Sequence, residues 1–163
     1  MILGIDPGLS GAIALLNPFT RAVDLFDMPL VASKAGQPIT DIHNLARLLF
    51  PVGGTGPQIA VLEQVHAMPK QGVSSTFRFG QNYGAIQMAV AGHGYDVRDV
   101  TPNTWKKYFR LSSDGEASRG LAIQRFPEMA GHLKCKKDHN RAEAILLALY
   151  GLEVIYPLYN PQS

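Results

Sequence analysis

Three short apolar segments open the chain, and turn-forming residues separate them. Residues 1–5 and 11–16 flank the turn sequence at 6–8, and residues 21–27 follow before Pro29. Apolar runs of this length around a glycine-containing turn are typical of a β-hairpin. The pattern therefore predicts three strands at the start of the chain, the first two forming a hairpin.

The remaining sequence alternates helix and strand signals. Thr40 resembles a helix N-cap, and apolar residues recur behind it at helical spacing. Glycine and proline indicate loops at 31–39 and 51–57. Further strands are predicted at 59–65 and 95–101, and helices at 73–91, from Pro102 through Phe109, at about 114–126 and at about 140–152. This order predicts an α/β protein with a five-stranded mixed sheet, in which the last two strands are parallel additions.

Size and composition favour one domain. The chain has 163 residues, of which 46% are hydrophobic and 17% charged, and this length buries enough surface to fold without disulfides. We expect one domain over residues 1–156 and a flexible tail over 157–163. The single cysteine, Cys135, excludes an internal disulfide and favours the cytoplasm. No apolar run approaches the roughly 18 residues that span a bilayer, so we expect no membrane partner.

The net charge of +2 conceals an uneven distribution. Residues 1–101 contain 6 basic and 7 acidic side chains, whereas residues 102–143 contain 9 and 5. A basic segment of this kind suits a surface that binds a polyanion, although a solvated helical surface has the same composition.

Three acidic residues stand in apolar surroundings. Asp6 ends the first strand signal, Glu63 lies at the end of the fourth, and Glu143 lies within the apolar last helix. Each has an ordinary alternative: a turn residue, a strand end in solvent and a polar helix stripe. A buried carboxylate needs a hydrogen bond, a cation, a metal or a proton. Three such residues suggest a shared site for Mg²⁺, which prefers carboxylate oxygens and activates water.

Helix geometry restricts a fourth member of this site. Asn140 and His139 lie within about 60° of the direction of Glu143, whereas Asp138 lies about 140° away if the helix includes it. Asp138 joins the site only if it precedes the regular helix.

These residues, in this order, resemble the RuvC-type Holliday-junction resolvases of the RNase H-like nuclease superfamily, particularly the small phage-like members. The matching motifs are Gly4-Ile5-Asp6-Pro7-Gly8-Leu9-Ser10-Gly11-Ala12, Leu62-Glu63-Gln64-Val65, Ser75 with Phe79-Gly80 and Gly84, Val100-Thr101-Pro102, Trp105-Lys106-Lys107 and Asp138-His139-Asn140-Arg141-Ala142-Glu143-Ala144. A lone Gly-Ile-Asp-x-Gly is also found in actin-like ATPases, whereas the ordered set is specific. It spans most of residues 1–153.

The resemblance implies an RNase H-like fold and a Mg²⁺-dependent endonuclease, in which Mn²⁺ can replace Mg²⁺. Asp6, Glu63 and Glu143 match the family's metal-binding acids, and Asp138 is expected to join them as a metal ligand. The family has Asp or His three residues before the last acid, and here that residue is Asn140, so the resemblance favours Asp138 or His139 as the fourth catalytic residue. The reaction implied is hydrolysis of a DNA phosphodiester to a 5′-phosphate, with His139 as a candidate proton shuttle.

The resemblance also implies contacts with four-way or branched DNA. The segment after Glu63 corresponds to the region that probes the junction, where apolar residues insert into opened DNA. The residues predicted to contact DNA are Met68, Lys70, Phe77, Arg78, Phe79, Lys106, Lys107 and Arg119. For Phe77 and Phe79 the alternative is packing of the long helix, and for the basic residues it is an ordinary solvated surface.

Two symmetric cuts imply a homodimer. The long helix with Gly80, Gly84 and Ala85 is predicted either to form the dimer face or to pack closely on the sheet.

Two other functional classes explain part of the sequence. An actin-like ATPase requires a second phosphate loop and two lobes, which this chain lacks. A non-catalytic DNA-binding module accounts for the basic segment but leaves the three acids unexplained, since carboxylates repel phosphate unless a cation lies between them. Within the nucleases, a broader flap or branched-DNA enzyme is the main alternative.

Overall fold

A computed structural model describes residues 1–34, 36–49, 57–65, 72–112 and 114–159. The strands are β1 (Ile2–Ile5), β2 (Ala12–Leu16), β3 (Val23–Asp27), β4 (Leu30–Ala32), β5 (Pro38–Thr40), β6 (Ile59–Glu63) and β7 (Asp96–Val100). The α-helices are α1 (Ile42–Leu48), α2 (Val73–Gly92), α3 (Pro102–Tyr108), α4 (Gly115–Arg125) and α5 (His139–Tyr150), and α5 continues as a π-helical turn over Gly151–Ile155.

Five strands form one sheet in the order β3-β2-β1-β6-β7. The first three strands pair in antiparallel order, and β6 and β7 extend the sheet in parallel with β1. The predicted five-stranded mixed sheet is therefore confirmed. Because β1 lies at the centre and its neighbour β6 runs in the same direction, the carboxyl ends of these two strands meet at one edge of the sheet.

Helices cover both faces of the sheet, which explains why β1, β2 and β6 are buried along their whole length. Alternate side chains point to opposite faces. Ile2 and Ala14 belong to the core under α4 and α5, whereas Leu3 and Ile13 belong to the core that includes residues of α1 and α2.

Gly4 brings α5 into direct contact with the centre of the sheet. A Cβ atom at this position would lie 2.1 Å from the carbonyl oxygen of Ala144, a distance that no side chain can occupy. The absence of a side chain at Gly4 therefore allows the backbone of α5 to lie on β1, which determines where Glu143 reaches the sheet edge.

Two local predictions were wrong. The loop predicted at 31–39 contains the β4–β5 hairpin, in which Val31 pairs with Ile39. Its strands have only three residues each and lie on the surface, so the Gly36 and Pro38 signals dominated the pattern. The N-cap of α1 is Asp41 rather than Thr40, because the Asp41 carboxylate accepts hydrogen bonds from the backbone N–H groups of His43 and Asn44.

The small residues of α2 do not pack on the sheet. Gly80 and Gly84 are exposed, and an added Cβ at either position meets no atom within 4 Å. Ile86 and Val90 form the buried side of the helix instead. The prediction of close packing on the sheet is thus wrong for these two glycines, and they lie on the outward surface.

The chain after the π-helical turn remains in contact with the domain as far as it is described. Residues 156–158 form a 3-10 turn, and the Tyr159 hydroxyl accepts a hydrogen bond of 2.6 Å from Arg98. Residues 160–163 of the predicted flexible tail lie outside the described residues. No helix in the described ranges is both long and apolar enough to cross a membrane.

Candidate active site

The three acids predicted to converge are brought to one edge of the sheet. Asp6 directly follows β1, and Glu63 is the last residue of β6. The register pairs Ile5 with Leu62, so Asp6 and Glu63 leave the two strands side by side. Glu143 reaches the same edge from α5, and its charge acts on the carboxyl groups of both other acids.

One oxygen of each acid is held by a donor from the protein. Asp6 Oδ1 accepts from the backbone N–H of Gly8 at 3.1 Å. Glu63 Oε1 accepts from the indole N–H of Trp105 at 3.0 Å. Glu143 Oε1 accepts from the Ser118 hydroxyl at 3.2 Å and lies 2.8 Å from Lys106 Nζ. Within the described residues the other oxygen of each acid has no hydrogen-bond donor, so each carboxylate presents one free oxygen.

Burial makes this group of acids electrostatically unfavourable. Asp6, Glu63 and Glu143 are only 9%, 8% and 8% exposed. The pKa of Glu63 is raised to about 7, mainly by burial, and the charges of Asp6 and Glu143 add to the rise. The hydrogen bond from Trp105 lowers this pKa but does not offset the effect of burial. Burial also raises the pKa of Asp6 more than the Gly8 hydrogen bond lowers it. Lys106 supplies one positive charge to three carboxylates, and this imbalance favours an added cation.

The donor set fits a hard divalent cation, because every free atom is a carboxylate oxygen. In the conformation described, however, no three His, Cys, Asp or Glu side chains within the described ranges are grouped closely enough to enclose a metal ion. Ligation by all three acids therefore requires their side chains to turn toward one another.

The start of α5 separates the three candidates for the fourth position. The Asp138 carboxylate accepts a hydrogen bond of 2.7 Å from the backbone of Cys135 and lies 3.5 Å from Arg141. Asn140 donates to the backbone oxygen of Ser10 at 2.8 Å. His139 lines a cleft with Glu143, and its positive charge acts to lower the pKa of Asp6. Of the three, His139 is the one that shares a cleft with Glu143 and acts on the pKa of Asp6.

The His139 ring occupies its position because the opposite residue is a glycine. A Cβ atom at Gly115, the first residue of α4, would lie 2.9 Å from the Cβ of His139. The cleft next to this contact has a volume of about 530 Å³, and its charged lining residues are the lysines Lys106, Lys136 and Lys137 and the acids Asp114, Glu116 and Glu143. Lysine side chains beside clustered acids create a site that can hold a phosphate close to a cation.

The predicted DNA-contacting lysines have different environments. Lys106 is partly buried against Glu143, whereas Lys107 is exposed. Lys107 lines a second cleft with Arg110, a residue that the sequence did not single out. Arg119 pairs with Glu116 and donates to the backbone of Leu133. Its charge is thus already engaged by Glu116, which lines the same cleft as Lys106.

The two aromatic residues in the first turns of α2 differ in their exposure to solvent. Phe77 is 65% exposed, whereas Phe79 is half-buried. Arg78 and Phe79 line a cavity of about 270 Å³ with Leu9, which belongs to the loop after Asp6. The predicted contacts Met68 and Lys70 lie outside the described residues.

Sequence reasoning missed the donors that hold the acids. Trp105 was noted only as part of a motif, and Ser118 was not noted at all. An indole next to a lysine gives no sequence signal for a partner 42 residues away. Ser118 is completely buried, and a single buried serine in a helix is common enough to draw no attention.

A central parallel strand pair with acids at its carboxyl end, crossed by a helix that supplies another acid, defines an RNase H-like fold. A Thermus thermophilus RuvC structure matches 98% of this chain and 96% of its own with a TM-score of 0.51 and 15% identity, a likeness that concerns the fold. The family described as crossover junction endodeoxyribonuclease RuvC matches residues 2–149. The chain belongs to this family.

A curated relative is the crossover junction endodeoxyribonuclease RuvC of Nitratidesulfovibrio vulgaris, strain Hildenborough. It is 31% identical over 108 residues, which is 65% of this chain. The match spans 64% of the length of that relative.

Proposed function

We propose that this protein is a metal-dependent endonuclease that resolves four-way DNA junctions by paired phosphodiester hydrolysis, leaving 5′-phosphates. The observation that supports this function best is the group of three buried acids, each with one oxygen held and one free, beside a cleft to which Lys106, Lys136 and Lys137 contribute. Family membership gives the same reaction class. The bacterial or phage-infected cytoplasm is the proposed location.

Asp6, Glu63 and Glu143 are the proposed ligands of Mg²⁺ or Mn²⁺. When bound, such ions activate water and stabilise the leaving oxygen of a phosphodiester. The protein's own part is to restrain one oxygen of each carboxylate through Gly8, Trp105 and Ser118, which leaves the other oxygen of each to turn toward a shared cation. Lys106 neutralises part of their charge and offers its ammonium group to a phosphate entering the cleft.

His139 is the proposed fourth member of the site, rather than Asp138 or Asn140. His139 lines the same cleft as Glu143 and bonds the Lys136 carbonyl oxygen through Nδ1 alone, whereas both oxygens of Asp138 are occupied, by Cys135 and Arg141. An imidazole titrates near neutral pH and can take a proton from attacking water or give one to the leaving oxygen.

The DNA is proposed to cross the sheet edge from α3 toward the start of α2. Lys107 and Arg110 would contact backbone phosphates on one side. On the other side, Arg78 and Phe79 border the cavity beside Leu9, which suits a base displaced from the stack at the junction centre. The first group is next to Lys106, which pairs with Glu143, and the second borders the loop after Asp6, so the two would position the cleaved strand.

A homodimer is proposed through the outward face of α2. Val73, Phe77 and Met88 are 86%, 65% and 72% exposed, and together with Gly80 and Gly84 they recur at helical spacing on one side of the helix. Two such helices can approach closely at the glycines while the larger side chains pack around them. A twofold arrangement would present two active sites to the two symmetric strands of a junction.

Cleavage of synthetic DNA tests this function. A four-way junction, a flap, a Y-form and a linear duplex of matched sequence are incubated with Mg²⁺, Mn²⁺ or EDTA, and the 5′ ends of the products are mapped. We expect paired symmetric nicks in the junction that require metal. Equal cutting of flaps and Y-forms would indicate a broader branched-DNA nuclease. Junction binding without cleavage would indicate a non-catalytic module.

A further inference from the structure

Two consecutive residues of α3 contact acids that belong to different elements. Trp105 donates its indole N–H to Glu63 on β6, and Lys106 pairs with Glu143 on α5. The Lys106 ammonium also lies 5.1 Å from the centroid of the Trp105 ring. One short helix therefore connects the strand and the helix that supply two of the three acids.

The Trp105 side chain is fixed by its surroundings. It is completely buried and belongs to the core formed with residues of α4 and α5. The start of α3 is fixed as well, because Thr101 caps it and Pro102 occupies its first turn. An indole N–H is a donor only, so in this orientation it can hold a carboxylate oxygen and cannot exchange a proton with it.

We propose that Trp105 is a positioning residue for metal binding: by holding Oε1 of Glu63, it directs Oε2 toward the cation. This inference rests on the proposed function and adds to it a residue that touches neither metal nor DNA. Partners that orient metal ligands commonly change metal affinity by about 10- to 100-fold. The packing of Trp105 makes its contribution separable, since phenylalanine fills most of the same space without the N–H.

The test compares Trp105→Phe with a matched variant of the same helix. Tyr108→Phe also removes one donor to a glutamate, because the Tyr108 hydroxyl donates to Glu153 at 3.1 Å, but this pair lies outside the candidate site. Binding of Mg²⁺ and Mn²⁺ is measured by calorimetry on folded, metal-free protein. We expect Trp105→Phe to weaken binding by about tenfold or more and Tyr108→Phe to leave it unchanged. Equal affinities in wild type and Trp105→Phe would overturn the proposal.

The wild-type protein provides a second measurement that does not depend on a variant folding. Trp105 is the only tryptophan in the chain, so its fluorescence reports the environment of the Glu63 contact. We expect Mg²⁺ or Mn²⁺ to change this emission with the same midpoint as in calorimetry, and Glu63→Gln to remove the change.

The failures of the two proposals can be told apart. Metal binding by wild type with no change in tryptophan emission would overturn the role of Trp105 and leave the proposed function standing. If wild type bound neither ion, both proposals would fail.

Discussion

Two groups of acids lie on opposite sides of the start of α5, and they are compensated very differently. On one side, Arg141 pairs with Asp27 through two contacts of 2.6 Å and also approaches Asp138, which holds the backbone of Cys135. On the other side, three acids share Lys106. The first group has one arginine for two acids, with Lys137 also acting on Asp27, whereas the second has one lysine for three acids.

This difference distinguishes Asp138 from Glu63 better than burial does, and we propose that it separates structural acids from catalytic ones. Asp138 is 7% exposed, as buried as Glu63 at 8%. However, hydrogen bonds and an ion pair occupy both oxygens of Asp138, whereas Glu63 keeps one oxygen free and has a raised pKa. A cation is therefore more favourable beside Glu63 than beside Asp138.

The largest expected effect is on cleavage. Asp6→Asn and Glu63→Gln should each lower junction cleavage by about a thousandfold or more, because each removes a charge that a metal requires, while junction binding is retained. Asp138→Asn serves as the matched control and should cleave within a few-fold of wild type. Equal losses in all three variants, measured in single-turnover reactions, would contradict the distinction between the two groups.

The metal-free protein should lose stability as pH rises. Because the folded-state pKa of Glu63 is raised from 4.5 to about 7, protonation favours the folded state below about pH 4.5, and this stabilisation is lost as pH rises through 7. The contribution of Glu63 corresponds to about 3 kcal/mol. Urea unfolding in EDTA at several pH values measures it, and Glu63→Gln should flatten the profile. If the stability profile of Glu63→Gln were identical to that of wild type, the pKa of Glu63 would not be raised in the folded protein.

His139→Ala should lower cleavage by about 10- to 100-fold, as expected for loss of a proton-transfer group. Asn140→Ala, one residue further along α5, is the control and should have a smaller effect, since Asn140 contacts the Ser10 backbone. The pH–rate profile of each variant separates loss of a titrating group from a shift of the helix. A larger loss in Asn140→Ala would assign the fourth position to the amide.

Asp138→Ala should act on stability instead. Loss of its hydrogen bond to Cys135 removes a contact that stabilises the 3-10 turn immediately before α5, and such contacts contribute about 1–2 kcal/mol. Chemical denaturation measures the change, which should not depend on Mg²⁺. A metal-dependent change would place Asp138 with the metal ligands.

The smallest expected effect is on DNA binding. Lys107→Ala should weaken junction binding several-fold and reduce the slope of log affinity against log salt by about one, as for one lost phosphate contact. Arg47→Ala, on α1 at the opposite face of the sheet, is the control. An unchanged slope in Lys107→Ala would remove this lysine from the DNA-contacting surface.

The sequence predicted the sheet and its three acids because both depend on local patterns. Apolar runs predict the strands, and an acid at the end of such a run can be identified from the sequence without knowledge of tertiary contacts. The β4–β5 hairpin was missed because its three-residue strands are too short for a periodic signal. The roles proposed for Asp138 and Trp105 could not be predicted from the sequence for another reason. They depend on contacts with partners such as Arg141 and Glu63, and the directions of those side chains follow from packing.

The contact between Gly4 and Ala144 has a consequence for the order in which the protein acquires activity. Asp6 and Glu63 meet when β1 pairs with β6, but Glu143 arrives only when α5 closes onto β1. During synthesis, a chain that has not yet released residues 139–150 would have its sheet edge without its third acid. In the proposed enzyme, the ability to cut DNA would thus appear last, after nearly all of the domain has folded.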